Sequence, residues 1–148
     1  MNNKIPPPIV TLFFGLCIYL SRSLFPEFSF SILSSLSIIS FIVGIFVLVT
    51  AIISFKNHET TVNPISIEKA SSLVVNGIFK YSRNPMYLGM SFALLGLAFQ
   101  FNLVGGLLLT SIFILFITTF QIKPEEVAME KHFDQEWKNY TKNVRRWL

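Results

Sequence analysis

Read from its N-terminus, the chain alternates long windows with little or no charge and short polar blocks, and the windows have membrane-crossing length. A spanning helix needs about 20 mostly apolar residues, and four windows, 9–25, 32–55, 86–101 and 103–122, approach or reach it. The first is the weakest, with Arg22 placed to extend its head group from the outer end. The second is uncharged and long enough to cross with tilt. Ser37, Ser40, Gly44 and Ala51 recur along it at helical spacing, which suits close approach of a neighbouring helix. Residues 86–122 hold no charge over thirty-seven positions, too many for one span and about right for two, with Gln100 and Asn102 marking the turn. Gly89, Ala93 and Gly96 give the third window a small-residue face, and Gly105 and Gly106 open the fourth; packing accounts for all of them.

Beyond Pro124 the pattern changes. Met129, Phe133, Trp137, Tyr140, Val144 and Trp147 recur at three- and four-residue steps, which predicts an amphipathic tail helix over 124–148. Such a helix lies in the headgroup region, anchored by Trp137, Trp147 and the Arg145–Arg146 pair, or it forms a lid over a cavity; the two are compatible. The expected fold is therefore all-α and integral to the membrane. One domain of about four transmembrane helices, with a loop over 56–85, carries a C-terminal amphipathic helix at the cytosolic face.

Charge fixes the orientation this layout implies. Lys4, the loop residues Lys56, Lys69, Lys80 and Arg83, and the tail residues Lys123, Lys131, Lys138, Lys142, Arg145 and Arg146 all fall on one side of a four-span chain. That side holds eleven of the twelve basic residues, with only Arg22 opposite. The positive-inside rule makes it the cytosol, with both termini there. An odd number of spans would divide the charges more evenly. The start of the chain has a lysine and an apolar stretch but no small-x-small cleavage signal, so an uncleaved first helix is expected.

Composition excludes several functions. Charged residues make up 14% of the chain, against about 25% in ordinary soluble domains, and they fall in blocks. An ionised side chain at a bilayer's centre costs roughly 2.5–3.5 kcal/mol, which explains the empty windows. The net charge of +4 comes without a basic stripe interleaved with aromatics, so no nucleic-acid partner is expected. Cys17 is alone, His58 and His132 lack ligand-like spacing, and no metal site is expected.

Two polar clusters flank the third and fourth windows. One runs from Leu73 to Gly89 and includes Arg83-Asn84-Pro85-Met86-Tyr87; the other is Gln121 to Glu126. A helical hairpin leaves one face and returns to it, so the two clusters are expected to be neighbours. Asn84 suits an N-cap and Pro85 the first helical position, which places the start of the third helix and its anion-attracting end at this face. Pro124 with Glu125 and Glu126 repeats the arrangement for the tail. Acidic residues in a first turn are also explained by helix stability alone.

Taken together, Leu73-Val74-x-x-Gly77-x-Phe79, Arg83-Asn84-Pro85-Met86-Tyr87-Leu88-Gly89, a hydrophobic hairpin, Pro124-Glu125-Glu126 and a tail with Tyr140 and Val144-Arg145-Arg146-Trp147 closely resemble the isoprenylcysteine carboxyl methyltransferase family and its relatives, the phospholipid N-methyltransferases. The resemblance covers residues 55–148. It implies an enzyme that transfers a methyl group from S-adenosyl-L-methionine, with the cofactor held at the cytosolic mouth between the last helices. By that resemblance Leu73, Val74, Phe79, Asn84, Pro85, Met86, Tyr87 and Glu125 line the cofactor, Glu126 and Arg83 are the catalytic candidates, and Gln121 faces the substrate. Chemically, N–H groups near Asn84 suit the methionine carboxylate, Glu125 suits ribose hydroxyls or the amino group, and Tyr87 suits the sulfonium through a cation–π contact. No glycine-rich dinucleotide fingerprint is present.

Two positions depart from the family. Gln121 stands where the prenylcysteine enzymes have a substrate-contacting arginine, and Asn84 where the turn more commonly has histidine. Loss of a fixed positive charge argues against carrying over the prenylcysteine acceptor. The expected partners are membrane lipids and a lipophilic or lipid-linked acceptor bearing a carboxylate, thiol or amine. A small multidrug-type transporter subunit needs an ionisable residue within a span, and the core windows have none. A non-catalytic membrane scaffold leaves both polar clusters unexplained. A nicotinamide-dependent reductase calls for further clustered arginines.

Overall fold

The computed structural model describes residues 5–57 and 72–148. Lys4, His58, Lys69 and the 58–71 part of the predicted loop lie outside them. Among the described residues every element is helical. Helix α1 (Pro7–Leu20) closes in a tight 3-10 turn, Ser21–Leu24, and is followed by α2 (Ser31–Asn57), α3 (Pro85–Phe101), α4 (Leu103–Ile117) and α5 (Lys123–Asn143). α1 begins two residues before its predicted window because prolines occupy its first turn, where no backbone N–H is needed. The Arg22 guanidinium lies over the Tyr19 ring, 4.4 Å from its centre.

The protein is an integral membrane bundle. The α1 stretch with its closing turn, α2, and the run that begins with α4 are long and apolar enough to cross a bilayer. α3 is a shorter apolar helix of 17 residues, about 25 Å at 1.5 Å per residue. Large apolar side chains on α1 and α2, among them Leu12, Phe13, Ile38, Ile42, Ile45 and Phe46, are exposed. An apolar surface this continuous fits lipid as its solvent.

α3 is the central helix. α1, α3 and α4 pack on one another, and α2 packs chiefly along α3. The small residues explain how closely α2 lies. A Cβ on Gly89 would sit 2.6 Å from Leu48 Cγ and 2.8 Å from the Gly44 carbonyl, so two backbones touch where the helices cross. Two turns further along α3, the Phe41 ring lies 2.8 Å from where a Gly96 Cβ would be, and Ser37 Oγ donates to the Gly96 carbonyl at 2.9 Å. Interhelical packing and such hydrogen bonds replace the hydrophobic drive that lipid cannot supply.

Three sequence expectations need correction. The α3–α4 turn is Asn102 alone, with Gln100 still inside α3; the Asn102 side chain accepts from Gly105 N at 3.0 Å and donates to Ser21 Oγ at 3.1 Å. Pro124 does not begin a separate helix. α4 passes through a π-helical turn, Thr118–Ile122, directly into α5, and Lys123 N donates five residues back to the Thr118 carbonyl. A proline at position 124 lacks an N–H and would clash with the carbonyl of Phe120; the wider turn containing Phe120 relieves both. Glu125 and Glu126 consequently do not sit at a free helix end.

The third correction concerns the tail, which is not one helix over 124–148. α5 bends at Asp134, whose φ of 36° is left-handed, and ends at Asn143. Val144 is extended. Val144 and Trp147 therefore leave the predicted apolar stripe, and Trp147 packs instead against the α1–α3–α4 core.

Candidate active site at the charged end of the bundle

The start of α3 and the end of α4 meet at one end of the bundle, as a hairpin requires. The approach to α3 is shaped by Gly77, whose φ of +61° is open to glycine and strained for other residues, in the short 3-10 turn Gly77–Lys80. This turn buries Phe79 against Phe55 of α2, ring centres 5.1 Å apart. Val74 and Phe79 are buried with Ala51, and Met86 packs on the same cluster; Leu73 is half-buried beside Val74. From the far side, Tyr140 Oη donates to the Phe79 carbonyl at 2.7 Å. Burial pushes the Tyr140 hydroxyl up, against the opposing charge of Arg83, so it stays a neutral donor.

Ser82 is fully buried and its Oγ accepts from Asn84 N at 3.1 Å, turning the chain into α3. α3 begins at the buried Pro85, as expected, but the Asn84 side chain makes no cap bond. Its Nδ2 reaches the Arg146 carbonyl instead, at 3.0 Å, because the chain's end is packed over this turn. A tertiary partner has displaced the local one.

Two carboxylates complete the site. Glu126 is bracketed by arginines from distant parts of the sequence. Arg83 Nη1 is 3.1 Å from its Oε1, while Arg146 Nε and Nη2 donate to Oε1 and Oε2 at 3.0 and 2.6 Å. Arg83 is largely buried, 12% of its side chain exposed, and its Nε is enclosed with no partner among the described residues. Glu125 turns the other way and accepts from Tyr87 Oη at 2.6 Å. Burial pushes the Glu125 carboxyl up to about 7; the neighbouring Glu126 charge adds to the rise and the Tyr87 bond opposes it. One carboxylate is thus neutralised by cations and the next is poised near neutrality.

Beside the Arg83–Glu126–Arg146 cluster opens a cavity of about 430 Å³, lined by Arg83, Lys123, Glu126, Glu130, Trp137 and Arg146 among others. The structure therefore brings Arg83, Asn84, Tyr87, Glu125 and Glu126 together, with Val74, Phe79 and Met86 in the adjoining apolar cluster. Gln121 is buried and faces elsewhere: its Nε2 donates to the Ile5 carbonyl at 2.8 Å, tying the N-terminal segment to the π-helical turn. Sequence reasoning missed Ser82, Tyr140 and the role of Arg146, which it placed in the headgroup region. The motif quoted for the tail held the only signal for the last two.

Comparison with known proteins turns this geometry into a family assignment. Residues 32–136, more than two thirds of the chain, match the model of a family described as phospholipid methyltransferase. The chain belongs to that family. It is the family of isoprenylcysteine carboxyl methyltransferase-like membrane methyltransferases, so the resemblance holds at family level. An uncharacterized protein of Haemophilus influenzae (strain ATCC 51907 / DSM 11121 / KW20 / Rd) is 51% identical over 37 residues, 25% of this chain and 59% of that protein. The match thus spans about three fifths of that relative's length. No solved structure matches. Family membership and several apolar helices together make this a multi-pass membrane protein of the phospholipid methyltransferase family.

Proposed function

We propose that this methyltransferase takes its methyl group from S-adenosylmethionine and transfers it to a lipophilic or membrane-associated acceptor, a carboxylate, thiol or amine, at the cytosolic mouth of the bundle. One observation carries the reading: the Arg83–Glu126–Arg146 cluster and the Tyr87–Glu125 pair lie side by side where the α3–α4 hairpin closes. Away from a nucleotide-binding domain, a zwitterionic cofactor needs a cation for its carboxylate, an anion for its ammonium or ribose hydroxyls, and an apolar wall.

The residues fit that group. The enclosed, unpartnered Nε of Arg83 and the uncapped start of α3 both suit a carboxylate. Glu125 suits the ammonium or the ribose hydroxyls, and Val74, Phe79 and Met86 supply apolar surface. On the Arg83 and Glu126 side of this cluster opens a cavity of about 430 Å³, in the usual range for small-ligand sites. When bound, the cofactor supplies a methyl group already activated on a sulfonium. The chain's own contribution is alignment and exclusion of water, effects that lower such barriers by several kcal/mol.

Glu126 is held by two guanidinium groups, and its part is to place Arg83. A carboxylate or thiolate acceptor needs no base, and an amine must lose a proton only at some stage. Gln121 leaves no fixed positive charge at its position, which favours an acceptor other than the prenylcysteine carboxylate. The charge asymmetry of the loops and tail supports placing both termini on the cytosolic side.

Calorimetric titration of the purified protein in detergent with S-adenosylmethionine and S-adenosylhomocysteine tests the reading. Saturable binding of both is expected. A folded sample that binds neither up to about millimolar concentration, a free energy of roughly −4 kcal/mol, refutes it.

A further inference from the structure

The last residues are not a free membrane anchor. After Asn143 the chain turns extended at Val144 and runs back across the charged end of the bundle as a short strap. The Arg145 carbonyl accepts from Arg83 N at 3.1 Å, and the Arg146 carbonyl accepts from Asn84 Nδ2 at 3.0 Å. The Arg146 guanidinium forks onto both oxygens of Glu126, and Trp147 Nε1 donates to Thr118 Oγ1 at 3.2 Å. Trp147 then packs into the core. An arginine serving only as an anchor would face lipid headgroups; Arg146 faces inward, with Glu126 only 15% exposed beneath it. Apart from the Thr118 anchor, each residue the strap grips is one sequence reasoning assigned to the site.

We propose that the strap is a working part of the site and that Arg146 is its positioning residue, fixing the Glu126 carboxylate through its fork and the Asn84 turn through its carbonyl. Glu125 is thereby left as the member of the pair that faces Tyr87. A fork on a carboxylate fixes rotation as well as place, which a single ammonium cannot do. The inference rests on the cofactor reading for its effect on binding, but not for its geometry. The groups touching the two carboxylates are Tyr87 from α3, Arg83 from the turn before it and Arg146 from the strap, while Lys123, Glu130 and Lys138 of α5 line the same cavity as Glu126.

The test uses the full chain in detergent with Arg146→Gln, Arg146→Lys and, as a charge control on an exposed tail position, Lys142→Gln. S-adenosylhomocysteine affinity is read by calorimetry across about pH 5 to 9, and melting temperature without cofactor over the same range. Arg146→Gln should weaken binding by about tenfold or more and move the pH midpoint of both curves upward, because a cation beside the carboxylate pair is gone. Arg146→Lys should return the midpoint towards wild type while recovering at most part of the affinity. Lys142→Gln should change neither. Wild-type affinity and midpoint in Arg146→Gln, whatever its melting temperature, overturn the proposal. If the wild type binds no cofactor, the cofactor reading fails alone. The melting curves then decide: a midpoint shifted in Arg146→Gln but not in Lys142→Gln supports the strap's role, and an unshifted one ends it.

Discussion

Glu125→Gln should make the protein more stable and less able to bind its cofactor. The wild-type carboxyl is pushed up from 4.5 to about 7, chiefly by burial. A carboxyl with a raised folded-state value holds its proton more tightly when folded. Its stabilising contribution is therefore complete below about pH 4.5, falls as pH rises through 7, and is absent above that. A rise of that size corresponds to about 3 kcal/mol of stability forfeited by the ionised form. At roughly 2–4 °C per kcal/mol for a chain of this size, the melting temperature shifts by on the order of 10 °C or somewhat less. Glutamine keeps an oxygen acceptor for Tyr87 Oη and never ionises. The melting temperature of Glu125→Gln minus that of wild type, followed by tryptophan fluorescence in detergent, should be small near pH 4.5, climb through pH 7 and level off near pH 8. S-adenosylhomocysteine affinity should fall in the same variant. A difference that stays flat with pH, or a variant less stable than wild type at pH 8, refutes the claim that Glu125 is buried at a cost to the fold. Such costs are tolerated where function needs the group.

Further consequences can be checked separately. Tyr87→Phe removes the one contact that lowers the Glu125 value, so the pH midpoint of stability should move above that of wild type while the chain stays folded; an unmoved midpoint breaks the Tyr87–Glu125 link. Gly89→Ala drives a methyl group into Leu48 and the Gly44 carbonyl, and should cost about 1–3 kcal/mol in thermal unfolding, with no loss expected if α2 crosses α3 elsewhere. In a Cys17→Ala background, single cysteines at the exposed positions Lys80 and Asn139 should label from the cytosolic side and one at exposed Gln100 from the opposite side. Labelling of all three from one side overturns the four-span arrangement.

The sequence alone determined the class of fold and the meeting of the two polar clusters. Uncharged windows of bilayer length demand helices, because lipid leaves no other partner for backbone groups. An uncharged stretch such as 86–122 has to leave and return to one face, which fixes Arg83 and Glu126 as neighbours before any contact is known. What the sequence could not decide were contacts that depend on how segments far apart in the chain lie against each other. Asn84 reads locally as a cap, and Pro124 as a helix start. Only the packed structure shows the Asn84 amide taken by the Arg146 carbonyl and a π-helical turn absorbing the proline. The tail's apolar period runs on to Trp147, but a left-handed Asp134 and an extended Val144 turn the chain back, and Arg146 exchanges the headgroup region for Glu126. Local propensities are worth about 1 kcal/mol or less per residue. A charge-assisted fork onto an enclosed carboxylate outweighs them, and it exists only once the tertiary structure has brought its two halves together.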